Sequence, residues 1–173
     1  MTLFRSLKET QTINFLKTHG ITRVYGSYGN RPSDPAEEGK IAAWNAKLHA
    51  EGIESHFLVA NNTYIFPEKH GNMTTRITNN LINFNNSILR LPEEMFDALH
   101  FDVEPQGLSS AQVADLPGRF AWSTLSGAQK RDYVVMLFEM YGVARTHITP
   151  SLGVDFPIWG DLPIWFDSLT SSV

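Results

Sequence analysis

His100-Phe101-Asp102-Val103-Glu104-Pro105 is the stretch whose reading decides the fold. Side chains alternate along a β-strand, so His100, Asp102 and Glu104 share one face while Leu99, Phe101 and Val103 share the other. The apolar set must pack against helices, which turns three titratable groups to the opposite side, and Pro105 closes the run because it has no N–H to donate. Holding such groups along one strand is costly unless they are used, so the pattern points to chemistry.

Outward from this strand, helical and extended segments alternate. Leu3, Leu7, Ile13, Phe15 and Leu16 recur at roughly helical spacing up to His19-Gly20, a helix C-terminus. Residues 21–25 read as a first strand followed by a Gly/Ser/Asn/Pro-rich loop, 37–51 as a second helix ending at Gly52, and 56–60 as a second strand. A helix over about 74–89 then leads into a third strand over 96–104. Residues 109–127 read as polar and turn-rich, 128–143 as helix, and 148–159 as a further strand broken by Pro150, Gly153 and Pro157. This alternation predicts an α/β fold with about four parallel strands joined by right-handed crossovers. With no Gly-x-Gly-x-x-Gly and no Walker-type loop, a barrel is favoured over an open nucleotide-binding sheet. No linker marks a second domain, so residues 1–173 read as one unit.

Composition narrows the function classes. A net charge of -4 without a basic run gives no footprint for nucleic acid or an anionic membrane. Zero cysteines exclude disulfides and thiolate chemistry, and no cofactor is called for. No window holds the roughly 20 apolar residues of a membrane span, and the N-terminus lacks a signal-peptide core, so the chain reads as soluble with its compartment open.

In a barrel, chemistry sits at the C-terminal ends of the strands, and Glu104 lies nearest that rim. Burial beside a second carboxylate favours the protonated form of one of the pair, which is what protonating a glycosidic oxygen requires. Glu104 is therefore the expected catalytic acid, and Asp102 its partner. A divalent-metal site built from His100, Asp102 and Glu104 is a weaker reading, because about 6–7 Å separates alternate residues along a strand.

Phe96-Asp97-Ala98-Leu99-His100-Phe101-Asp102-Val103-Glu104 resembles the Phe-Asp-Gly-x-Asp-x-Asp-x-Glu signature of family 18 glycoside hydrolases, departing from it at Ala98 and His100. It is more similar to glycosidase-like TIM barrels in which a Phe-Asp-Gly-Ile-His-x-Asp-Val-Glu-Pro strand follows a Leu-His-x-x-Gly-Ile segment. That segment is here Leu48-His49-Ala50-Glu51-Gly52-Ile53, and the stretches at 15–25 and 155–159 are also similar. The resemblance implies Glu104 as acid and Asp102 as the residue positioning substrate, while His100 in place of an Asp alters the proton relay of that family. It further implies a partial (β/α)8 barrel with helices on the outer face, running from the first helix to about the fifth strand. Such a portion would expose sheet edges and an apolar interior and would self-associate, or be a fragment or a truncated reading frame.

The remaining candidates are assigned to a carbohydrate substrate. Tyr25 and Asn61 end the first two strands at the same rim, and Trp159, with Trp165, offers a ring to a sugar face. Asp161 and Asp167 are candidates for binding hydroxyls, and His100 joins Tyr25, Asn61 and Trp159 as a substrate-binding residue. The other histidines, His19, His49, His56, His70 and His147, show no ligand spacing and read as surface or hydrogen-bonded groups.

Overall fold

The computed structural model describes residues 2–162, with side chains from Leu7 onward. Four strands, β1 (Arg23–Gly26), β2 (Glu54–Val59), β3 (Ala98–Phe101) and β4 (Ile158–Gly160), form one parallel sheet in the order β1-β2-β3-β4. Helix α1 (Thr2–Thr18) precedes β1, and α2 (Glu38–His49) joins β1 to β2. Between β2 and β3 lies α3 (His70–Ile77), which runs through a π-helical turn (Thr78–Ile82) into the short α4 (Asn83–Asn85). The short α5 (Ser110–Val113) and the long α6 (Gly127–Leu152) join β3 to β4.

The first two helices end with the same device. At each junction a glycine takes a left-handed conformation, Gly20 at φ 65° and Gly52 at φ 71°. Ile21 N–H bonds Leu16 C=O at 2.9 Å and Ile53 N–H bonds Leu48 C=O at 3.0 Å, closing a Schellman motif over each last turn. Leu16, Leu48 and Ile53 are buried together with Ile13, and Ile21, Val24 and Trp44 pack on them. The turn chemistry and the packing thus agree on where each chain reversal falls.

Strand order in sequence with crossovers of one hand puts the helices on one face of the sheet. On that face Phe57, Val59, Leu99, Phe101 and Val103 are fully buried against Ile41 of α2, Met73 and Ile77 of α3, and Leu137, Met140 and Ala144 of α6. The α/β class and the four parallel strands expected from the sequence are present.

Three boundaries differ from expectation. The third strand is Ala98–Phe101 and not 96–104, although Asp102 N–H still bonds Val59 C=O at 3.1 Å beyond its end. The segment 109–127 holds α5 within its turns. The expected strand over 148–159 is largely helix, because Leu137, Met140, Ala144 and Ile148 continue one buried stripe through α6, and only Ile158–Gly160 is extended. Pro150 sits in the last turn of α6, and Gly153, at φ 91°, ends the helix with its N–H bonded to Thr149 C=O.

The entrance to β3 is held by side chains instead of a ladder. The Asn85 amide, 5% exposed, donates to Phe96 C=O and accepts from Phe96 N–H, each at 2.9 Å. Asn45 Nδ2 donates to Glu94 C=O at 2.9 Å, and its Oδ1 accepts from Ser55 Oγ at 2.8 Å. Asp97 Oδ2 accepts from Ser55 N–H at 2.7 Å and from His49 Nε2 at 2.6 Å. These bonds set the register of β3 against β2. Asn85→Ala leaves two backbone groups of Phe96 buried and unpaired, at about 1–3 kcal/mol each. Chemical denaturation should show a loss of about 2–5 kcal/mol on this account, and a loss within error of an exposed Asn83→Ala control would contradict it.

Candidate functional site

The face of the sheet opposite the helices receives the other half of each strand: Arg23 and Tyr25 from β1, Glu54, His56 and Leu58 from β2, Ala98 and His100 from β3, and Trp159 from β4. In place of the expected apolar interior this face carries mainly aromatic, imidazole and charged groups, with Leu58 and Ala98 among them, because alternation sends most of the aliphatic strand residues to the helices.

Within this layer the rings cross neighbouring strands. Tyr25 reaches over β2 to stack on His100, with ring centroids 3.9 Å apart and planes 28° from parallel. Trp159 reaches over β3 toward His56, at 6.4 Å and 22°. The Arg23 guanidinium carbon lies 4.7 Å from the Trp159 ring centre, so β1 and β4 meet across the sheet. Ala98, in register with His56, is buried beside these rings. Tyr25 remains 50% exposed and Trp159 44%, while His56 and His100 beneath them are buried.

Each histidine is oriented by a carboxylate. His56 Nε2 donates to Glu54 Oε2 at 3.0 Å, and Glu54 also accepts from Arg23 Nε at 3.0 Å. His100 Nε2 donates to Asp161 Oδ2 at 3.3 Å. The Nδ1 atoms of both rings are buried and unpartnered among the described residues, and the ring centroids lie 6.3 Å apart. They are two free imidazole acceptors on one face. Among the described residues no three His, Asp or Glu side chains converge as a metal site.

Asp102 and Glu104 lie just beyond the C-terminal end of β3, both half-buried, with fully buried Val103 between them turned toward the helices. Among the described residues no hydrogen bond or ion pair occupies either carboxylate. The backbone at Glu104 is extended (φ -114°, ψ 104°) and leads into a 3-10 turn, Pro105–Gly107. Glu104 N–H donates to Asn62 Oδ1 at 2.8 Å. A Cβ on Gly107 would overlap the Asn62 amide, so Asn62 is wedged between the two ends of this turn. Asn62 thereby orients the Glu104 backbone.

The structure thus gathers Tyr25, His100 and Trp159 in one layer and sets Asp102 and Glu104 at its C-terminal edge. Asn61 stands apart: its Oδ1 accepts from Thr63 N–H at 3.0 Å and Thr63 Oγ1 at 2.8 Å, so it forms the turn after β2. Trp165 and Asp167 lie outside the described residues. Sequence reading missed His56, Arg23, Glu54 and Asn62. The alternation Glu54-Ser55-His56-Phe57-Leu58-Val59 carries the signal for His56, since it puts that ring on the same face as His100.

Burial holds the His56 imidazole below its ordinary value, against the opposing pull of Glu54, while the His56 hydrogen bond holds the Glu54 carboxyl below the usual range. As pH falls through the unfolded histidine value of about 6.5, the unfolded chain takes up a proton that folded His56 resists, and stability drops. Glu54 adds a second loss below about pH 4.5 by the same linkage, because its folded value is the lower one. Thermal melts between pH 7.5 and 5.5 should show a steeper decline for the wild type than for His56→Gln. Equal slopes would contradict this role for the buried ring.

Comparison of the chain with protein-family models, with curated proteins and with solved structures finds no match.

Proposed function

We propose that the chain is a glycoside-hydrolase-like portion of a (β/α)8 barrel that cleaves glycosidic bonds in a polysaccharide or glycan. The sheet face away from the helices is then the barrel interior, and the C-terminal ends of β1 to β4 form the rim where barrel enzymes place their chemistry. The observation that carries the reading is the placement of Asp102 and Glu104 at that rim, next to a floor of stacked Tyr25, His100 and Trp159 rings. Half-exposed aromatic rings suit the apolar faces of sugars, and two neighbouring carboxyl groups suit an oxocarbenium-like transition state.

Glu104 in its acid form donates its proton to the glycosidic oxygen as the bond to the anomeric carbon breaks. Water then adds to that carbon and returns a proton to the Glu104 carboxylate, so one water is consumed per bond. Asp102, two residues back on the same side of the chain, stabilises the positive charge that develops on the sugar. His100 Nδ1 and His56 Nδ1 accept from substrate hydroxyls, and Tyr25 and Trp159 hold the ring faces. Asn62 fixes the backbone from which Glu104 projects and is a positioning residue.

A non-catalytic, carbohydrate-binding role is the second reading, favoured by the exposure of Tyr25 and Trp159, which can bind a sugar face without the carboxyl groups. A panel of aryl glycosides separates the two. Turnover should fall about a hundredfold or more in Glu104→Gln and persist in His100→Asn. Unchanged turnover in Glu104→Gln would overturn the catalytic assignment, and oligosaccharide binding with no turnover by the wild type would leave the second reading.

A further inference from the structure

A second site lies between the loops that follow β1 and β2, away from the sheet face. Asn30 and Ser33 of the first loop, Tyr64 of the second, and Asn72, Thr75, Arg76, Asn79 and Asn80 of α3 and its π-helical turn enclose a pocket of about 340 Å³. This volume falls in the range of small-molecule sites and is about ten times the share of liquid volume taken by one water. Residues 72, 75, 76, 79 and 80 recur at i, i+3, i+4, i+7 and i+8, a polar stripe on a helix whose other side, Met73, Ile77 and Leu81, is fully buried core.

Two of the lining groups are unusual for a solvated helix face. Asn80 is only 2% exposed; its Nδ2 donates to Arg76 C=O at 3.1 Å, which fixes the amide orientation, and its Oδ1 has no partner among the described residues. Arg76 Nε is likewise buried without a partner, and Arg76 forms no ion pair among the described residues. Such orphaned groups are costly unless something fills them. The lining carries one full charge, Arg76, and no carboxylate, in a chain whose net charge is -4. A π-helical turn in the wall is also a feature that gathers at functional sites.

We propose that this pocket binds a small hydroxylated carboxylate, of the hydroxy-acid or sugar-acid class. The carboxylate accepts from Arg76 Nε–H in a charge-assisted bond, and a hydroxyl of the same molecule donates to Asn80 Oδ1. Ser33 and the amides of Asn30, Asn72 and Asn79 serve the remaining hydroxyls. The site does not depend on Glu104 or on the glycosidase reading, because no residue is shared between the two.

Binding of D-glucuronate, D-glucose and acetate to the full chain is measured by NMR titration, following the side-chain amide of Asn80 and the Nε–H of Arg76. D-Glucuronate should shift both signals, with D-glucose, which lacks the carboxylate, and acetate, which lacks the hydroxyls, each about tenfold weaker or more. Arg76→Gln should lower D-glucuronate affinity about tenfold or more, with the Glu104→Gln protein binding as the wild type does. The wild-type titration alone decides the matter if Arg76→Gln does not fold. No shift at Asn80 and Arg76 with D-glucuronate, equal binding of D-glucose, or unchanged affinity in folded Arg76→Gln would each overturn the proposal. Binding of D-glucuronate without any glycosidase activity would leave it standing while the catalytic reading failed.

Discussion

The parallel pairing of β2 with β3, from His56 opposite Ala98 to Val59 opposite Phe101, governs most of what the rest of the molecule does. In this register Phe57, Val59, Leu99 and Phe101 form one apolar surface, and every helix that crosses between strands packs on that side. The same register gives the opposite side to His56 and His100. Strand pairing in chain order leaves no crossover to cover that side, so its chemistry is decided by the side chains that alternation delivers there. A one-residue slip would exchange the two sets, which explains why Asn85, Asn45 and Asp97 anchor the entrance to β3 by direct bonds to backbone.

A face made this way has a cost and a use. The buried His56 imidazole weakens the fold as it acquires charge, and Glu54 offsets this only in part by accepting one bond from the ring. What the arrangement provides is preorganisation: Tyr25 packed on His100 and Trp159 turned toward His56 across neighbouring strands. The carboxyl groups of Asp102 and Glu104 stand where the ladder ends and loops begin, and Asn62 ties that exit to the loop after β2. Rigid floor and tethered rim come from one sheet, so disturbing the register reaches both.

Much of this was legible in the sequence, and the failures have physical causes. Gly20 and Gly52 marked the ends of α1 and α2 because the Schellman geometry requires a left-handed residue there. The alternation through Leu99, Phe101 and Val103 gave the buried face of β3 correctly, since period two survives past the end of the hydrogen-bonded strand. The stretch 148–159 misled because Pro150 and Gly153 look like strand breaks, whereas the buried stripe ending at Ile148 carries α6 onward and Pro150 falls in its last turn. Asn61 and Asn62 cannot be told apart by type; only the turn after β2 decides that the first caps itself and the second reaches Glu104. His56 was readable by alternation, but pairing it with Trp159 required knowing that β4 lies beside β3. The enclosure of Asn80 carries no sign in the sequence, because it depends on how the π-helical turn after α3 packs against the loops that follow β1 and β2.

The proposed sugar site is the uncovered sheet face. Its most direct test is an NMR titration of the ring signals of Tyr25, His100 and Trp159 with cello-, xylo-, malto- and chito-oligosaccharides. The account predicts that at least one of these series perturbs the three rings together, with the Glu104 amide moving in the same titration. Saturable binding that leaves the three rings unmoved, or no binding by any series, would contradict it.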